Sequence, residues 1–235
     1  MRLMTLSGME LRPEEITEFL DVEGVVLLRE TSSGDIRSLI RSIGPVYVHP
    51  HSDQDGFTKI SPQVPATTDH NSRGLTRARL RLHTDRSTSA DPPAILACVV
   101  IQSAETGGTT LLADGAQILH MLGPRTAARM ILKGDGLTDH AVFEFSDNRR
   151  CRLRYRDDDV AKPWDTSTNR SVDITSVVSP IEIELRCGEG YVVHNHRFLH
   201  GRTAFRGHRE VLRLLGGIAA DSRYRFLAQG FRARP

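Results

Sequence analysis

His83, Thr84 and Asp85 close a stretch in which apolar and charged residues alternate, with Leu80 and Leu82 on one side and Arg79, Arg81 and His83 on the other. In an extended chain, residues two apart point the same way, so an imidazole at 83 and a carboxylate at 85 can address one point in space. That is two thirds of a facial metal triad. The candidate for the third member is His200, in the segment 194–205 (HNHRFLHGRTAF) that follows Tyr191, Val192 and Val193. Two imidazoles and one carboxylate on one side of a ferrous ion leave three coordination positions open for an oxo-acid and dioxygen, the arrangement used by non-haem iron oxygenases. His-x-Asp alone recurs by chance in surface turns. Arg209 and Arg213, on the strand leaving His200, add weight because a guanidinium is the group that holds a free carboxylate through two parallel hydrogen bonds.

Elements must bring these groups together, and the chain supplies them in a mixed order. Pro13 opens a predicted helix over 12–21, an apolar strand follows at 24–29, and Ile36, Leu39, Ile40 and Ile43 form one stripe of a helix over 33–43 that stops at Gly44 and Pro45. Beyond residue 45 the texture becomes short strands between polar turns: 46–48, 58–60, 78–83, 94–102, 109–113, 137–145, 150–156, 181–186, 190–194 and 211–219. A helix over 115–122, continued at 125–132, interrupts them. This pattern predicts a mainly β fold with flanking helices, an antiparallel sandwich or barrel. No repeat or linker divides the 235 residues, so the expectation is one domain over 1–235, with helix and strand support over 1–45. The patternless stretch at about 157–179 is expected to be a lid-like loop over a site.

The chain resembles the taurine dioxygenase (TauD/TfdA) and clavaminate synthase-like family of iron(II) and 2-oxoglutarate-dependent dioxygenases. The pieces that match are 82–86 (LHTDR), Pro92 and Pro93 ahead of a strand, 105–111 (ETGGTTL), 195–205 and 209–213 (REVLR), in the family's order from about residue 52 to 216. The resemblance implies a double-stranded β-helix, the cupin-like jelly roll, with Fe(II) held by His83, Asp85 and His200. It implies that the far carboxylate of 2-oxoglutarate sits on Arg209 and the Thr110 hydroxyl, with Arg213 as the second candidate. The implied reaction consumes dioxygen and 2-oxoglutarate, releases succinate and carbon dioxide, and hydroxylates an unactivated C–H bond of a small polar molecule. An amino acid or an intermediate of specialised metabolism is the expected substrate. Related halogenases carry a small residue at the position of Asp85, so the acid favours hydroxylation over chlorination, with desaturation and ring closure left open.

Two other readings of the same residues stand beside this one. Gly188, His194 and His196 have the opening spacing of a cupin metal motif, which would make a metalloenzyme independent of 2-oxoglutarate, although no glutamate follows at the required distance. A metal or 2-oxoglutarate sensor without turnover is the second. For the substrate, Arg81, and less so Arg79, share the face of His83 and could aim a cation at an acidic group, and Arg154 or Asp157 could reach the same mouth. Within 162–167 (KPWDTS), Trp164 could act as a cover and Asp165 as the partner of an amine. Gln102 and Asn195 are candidate hydrogen bonders around the metal or the substrate.

Composition excludes several classes. Thirty-one basic against 29 acidic residues leave a formal charge of +2, too little for a global field that would hold nucleic acid or an anionic membrane. The basic run Arg149, Arg150, Arg152, Arg154 and Arg156 is broken at once by Asp157, Asp158 and Asp159, so it reads as a charge-protected edge strand. Cys98, Cys151 and Cys187 are an odd number without C-x-x-C spacing, which fits neither a disulfide framework nor a thiolate zinc site and suggests a reducing compartment. With no signal-peptide pattern and no membrane-length apolar run, the expected setting is cytoplasmic, with a small-molecule substrate as partner.

Overall fold

Ile95–Gln102 reads ILACVVIQ, and its first six residues are buried. A strand covered on both faces needs apolar side chains at successive positions, and here the two faces serve different cores. Ile95, Ala97 and Val99 point to one core, and Leu96, Cys98 and Val100 to another. The computed structural model describes residues 2–62 and 74–233.

The strands that frame the site are β1 (Met4–Ser7), β2 (Val25–Arg29), β3 (Thr58–Ile60), β4 (Leu80–His83), β5 (Ile95–Gln102), β6 (Thr110–Asp114), β7 (Ile181–Ile183), β8 (Gly190–His194), β9 (Phe198–Arg202) and β10 (Glu210–Gly216). Among the described residues they form a six-stranded sheet in the order β1-β2-β8-β5-β10-β3 and a four-stranded sheet in the order β7-β6-β9-β4. All pairings are antiparallel except β1 with β2. The two sheets share the core built on Leu96, Leu112, Val193, Phe198 and Leu215. This is the expected mainly β jelly roll.

Helices α1 (Pro13–Val22) and α2 (Ser33–Ile43) cover the outer face of the larger sheet. Pro13 takes the first turn of α1, where its missing N–H costs nothing. Ser32 caps α2 by accepting from the Asp35 amide, while the Asp35 carboxylate accepts from the Ser32 amide at 2.8 Å. Ile16 and Leu20 of α1, with Ile36, Leu39, Ile40 and Ile43 of α2, bury their stripes against Val26, Leu28 and Val192. The outer face of the smaller sheet is covered by α3 (Gly115–Leu122) and by short strands around Phe143, Leu153 and Phe231.

Four local expectations differ from the structure. The helix does not continue over 125–132: Gly123 adopts φ 75°, a single turn follows at Pro124–Ala127, and Met130–Lys133 is a strand with Met130 and Leu132 buried. Short apolar runs do not separate the two periodicities, and here the alternation prevails. The expected strand at 46–48 is a single bridge from Val46 to Gly216. The segment 157–179 is built into the body from Lys162 on, where Lys162–Asp165 pairs with Met130–Lys133 and Ile174 is fully buried. The arginine run is also not an edge: Arg150–Leu153 lies between Phe143–Phe145 and Phe231–Arg232. Its arginines are tolerated inside because each finds acceptors, Arg150 on Asp21 at 2.7 Å and on the Gly230 carbonyl at 2.6 Å.

Gly190 lies so close to β5 that an added Cβ would overlap the Cys98 carbonyl oxygen. Gly190→Ala is therefore expected to lower the urea midpoint of unfolding more than Ser32→Ala, which removes a cap worth about 1 kcal/mol. Equal midpoints would mean that the β5–β8 contact tolerates a side chain.

Candidate metal and co-substrate site

Pairing of β9 with β4 puts His200 directly opposite His83, and the ring centroids are 4.3 Å apart at an interplanar angle of 47°. A bulge follows between His200 and Arg202, so the register holds at the histidines and shifts beyond them. His83 Nδ1 lies 2.9 Å from the Arg81 carbonyl oxygen. A carbonyl only accepts, so Nδ1 carries the proton and Nε2 keeps its lone pair. Burial holds both imidazoles below their usual range, well below for His200, so both are neutral donors at neutral pH. His200 Nδ1 is buried without a partner.

Asp85 is buried in the turn that follows β4. Burial alone would raise its pKa, but the neighbouring guanidinium of Arg213 leads the effects that outweigh burial and keep the acid ionised. Arg213 Nη1 donates to Asp85 Oδ2 at 2.6 Å, and the second oxygen, Oδ1, has no bond to another described residue. Asn195 fixes the backbone of this turn. Its Oδ1 accepts from the Asp85 amide at 2.8 Å, and its Nδ2 donates to the carbonyls of Asp85 at 3.1 Å and Pro93 at 2.8 Å.

Among the described residues no three His, Cys, Asp or Glu side chains already stand in coordination geometry. The donor set nevertheless fits a divalent transition metal: two neutral imidazoles, one with its lone pair exposed by its own hydrogen bond, and an ionised carboxylate whose electrostatic partners include both rings. A cation there would neutralise a buried charge that Arg213 alone now offsets.

These groups line one cavity of ≈ 670 Å³ between the two sheets. Thr110 is buried in its wall, opposite Arg202 in register. On the larger sheet, Tyr191, Cys98, Arg213 and Thr58 are successive partners across β8, β5, β10 and β3, and all four line the cavity. Arg209 enters beside this rung with its guanidinium 5.9 Å from the Phe205 ring. Burial depresses its pKa, and among the described residues it has no acidic partner. A half-buried cation without an acid is a candidate partner for an anion.

Of the other residues read from the sequence, Arg79 and Arg81 line the outer part of the cavity, and Arg81 donates to Asp157 Oδ2 at 2.9 Å. Arg154 and Asp165 do not line it. Arg154 is buried, donating to the carbonyls of Ser89 and Ala90, and Asp165 accepts from the Ser167 amide and hydroxyl at 2.8 and 2.7 Å, closing its own turn. Trp164 donates to Asn169 Oδ1 at 3.0 Å and lies under Lys133, away from the cavity. His194 and His196 are buried with Nε2 directed at the carbonyls of Leu227 (2.8 Å) and Pro92 (3.1 Å), so they brace the β8–β9 turn, which is not the cupin arrangement. Gln102 is exposed at the end of β5. The sequence reading missed Tyr191, His49 and Arg86, which also line the cavity. Of these only Arg86 carried a signal, its place next to Asp85.

A model of the family described as "Taurine catabolism dioxygenase TauD, TfdA family" matches residues 5–172, which include His83, Asp85 and Thr110 but end before His200 and the two arginines. Among solved structures, that of AAD-2 in complex with Mn(II) and N-oxalylglycine is similar with a TM-score of 0.71 at 14% identity, covering 94% of this chain and 94% of that chain. PvcB from Pseudomonas aeruginosa is similar with a TM-score of 0.66 at 15% identity, covering 91% and 86%. Asparagine oxygenase in complex with Fe(II), 2S,3S-3-hydroxyasparagine and succinate gives 0.66 at 16% identity, covering 87% and 78%. No curated protein sequence matches significantly. Among the described residues no helix is long and apolar enough to cross a membrane.

Asn195→Ala would leave the Asp85 amide and two carbonyls without partners. It is expected to destabilise the protein by about 2–3 kcal/mol and to weaken Mn(II) binding measured by electron paramagnetic resonance. Unchanged metal affinity would mean that the turn carrying Asp85 holds its shape without Asn195.

Proposed function

The chain belongs to the TauD/TfdA family and is a 2-oxoglutarate-dependent non-haem iron dioxygenase working with Fe(II), 2-oxoglutarate and O2, and on that premise we propose that His83, Asp85 and His200 hold the iron while Arg209 and Thr110 receive the far carboxylate of 2-oxoglutarate. The observation that carries this reading is the direct opposition of His83 and His200 with the ionised Asp85 beside them, in a cavity whose other end holds a buried arginine without an acid. We propose further that the reaction hydroxylates a C–H bond of a small polar molecule, an amino acid or an intermediate of specialised metabolism. The product and succinate bound together in asparagine oxygenase support that class.

When bound, iron with 2-oxoglutarate and dioxygen supplies an oxidation that couples release of succinate and carbon dioxide to attack on a C–H bond. The chain's contribution is positioning and charge. Arg81, through its carbonyl, fixes the tautomer of His83 and turns Nε2 to the cavity. Asp85 contributes one negative charge to a cation that neutral histidines leave uncompensated. Arg209 meets a carboxylate in a place stripped of water, where the pairing is stronger than at a surface. Arg213 has two partners in reach, Asp85 and the Thr58 hydroxyl at 3.4 Å, and its buried Nε has none. It therefore serves Asp85 before it serves the co-substrate, which makes Arg209 the stronger of the two candidates.

Protein loaded with Fe(II) under anaerobic conditions is expected to release succinate from 2-oxoglutarate on exposure to air, with the yield rising in the presence of its substrate among a panel of amino acids. His83→Ala should abolish this release. Succinate formed equally by His83→Ala would contradict the ligand assignment. Arg209→Ala is expected to weaken 2-oxoglutarate binding by about tenfold or more, read by calorimetry, with Mn(II) affinity retained. Loss of affinity in Arg213→Ala but not in Arg209→Ala would reverse the two roles.

A further inference from the structure

Charged residues of the cavity fall into two groups. Arg213 is paired with Asp85 at 2.6 Å, Arg81 with Asp157 at 2.9 Å, Arg156 with Asp158 at 2.6 Å, and Lys59 with Glu210 at 2.6 Å. Arg79, Arg86, Arg202 and Arg209 line the same cavity and have no acidic partner among the described residues, but Arg202 is buried with its guanidinium committed to backbone carbonyls, those of Ala78 and Thr203 among them. Arg79 is exposed to solvent, which compensates its charge. Arg209 is taken by the co-substrate in the reading above. Arg86 remains, half-buried, with its Nε–H buried and without any acceptor.

The backbone reinforces the point. Arg86 has φ 55°, a left-handed conformation that a long side chain adopts only where the surroundings impose it. In a regular strand, residues 85 and 86 would face opposite sides of the sheet. The left-handed turn leaves both on the wall of one cavity, so the cation stands next to the proposed metal ligand. An unpaired buried donor on a guanidinium costs free energy in the empty site and becomes favourable when an anion fills it. The cavity also has apolar walls at Ile60, Leu75 and Val211, which suit the carbon skeleton of a small molecule.

We propose that Arg86 is the specificity-determining residue that receives a free carboxylate of the substrate, so that the enzyme acts on small organic acids, free amino acids included, and discriminates against their amides. This rests on the assignment of Arg209 to 2-oxoglutarate. With both sites filled, Arg209 and Arg86 each meet one carboxylate.

The test is equilibrium binding to the Mn(II)-loaded protein in the presence of 2-oxoglutarate, read by ligand-detected NMR. The probes are L-leucine, L-phenylalanine and 4-phenylbutanoate, each beside its primary amide. At least one acid is expected to bind the wild-type protein about tenfold or more tightly than its amide. Arg86→Gln should remove that preference, and Arg86→Lys should restore part of it. Affinity for 2-oxoglutarate, measured by calorimetry on the same three proteins, should be unchanged, which also shows that the variants are folded. The proposal is overturned if no acid is preferred by the wild-type protein, if the preference survives in Arg86→Gln, or if Arg86→Gln loses 2-oxoglutarate and not the acid. A wild-type protein that binds acids but not 2-oxoglutarate would instead contradict the assignment of Arg209.

Discussion

Everything at the centre of this protein depends on one cross-strand pairing, that of His200 in β9 with His83 in β4. The two residues come from distant parts of the chain, and only the register of two antiparallel strands sets them face to face. A slip of one residue in either strand would turn that strand's imidazole out of the cavity. Several neighbouring interactions protect that register. The β9–β6 pairing continues unbroken from Phe198 to Arg202, Asn195 ties the Asp85 turn to the β8–β9 turn, and the Arg81 carbonyl pins the His83 ring. His194 and His196 belong to the same brace, since each spends Nε2 on a backbone carbonyl of another segment.

Charge organises the cavity as firmly as register does. Asp85 stays ionised because the charge of Arg213 offsets the burial that would otherwise protonate it. The same burial keeps the histidines neutral, which is the form in which they donate an electron pair. Acid–base pairs hold the outer wall together, while Arg209 and Arg86 are left without acids deeper inside. The molecule is thus built with cations in place for anions that it does not itself supply.

The sequence revealed those parts that obey short periods. Alternation at 79–83 fixed which face carried His83, the stripe in 33–43 marked α2, and the apolar run in 94–102 marked the central strand, because each pattern is local. What it concealed depends on distant partners. Arg154 was expected at the mouth because the family resemblance sets a strand near this position beside it, yet the carbonyls of Ser89 and Ala90 capture it. Asp165 read as a partner for an amine, yet Ser167 occupies it. Arg86 stood beside Asp85 in the sequence without a role, because no residue type announces a left-handed turn there. The preference for Arg209 over Arg213 came with the family resemblance, but the reach of Arg213 to Asp85, which supports it, was not legible.

The central claim is that one metal ion sits between β4 and β9. Its most direct test is a Mn(II) titration of the wild-type protein and of five alanine variants, at positions 83, 85, 194, 196 and 200, followed by electron paramagnetic resonance. The account predicts one tight site that is lost in the His83, Asp85 and His200 variants and kept in the His194 and His196 variants. A site that survives the loss of His83 and Asp85 but disappears with His194 or His196 would contradict it.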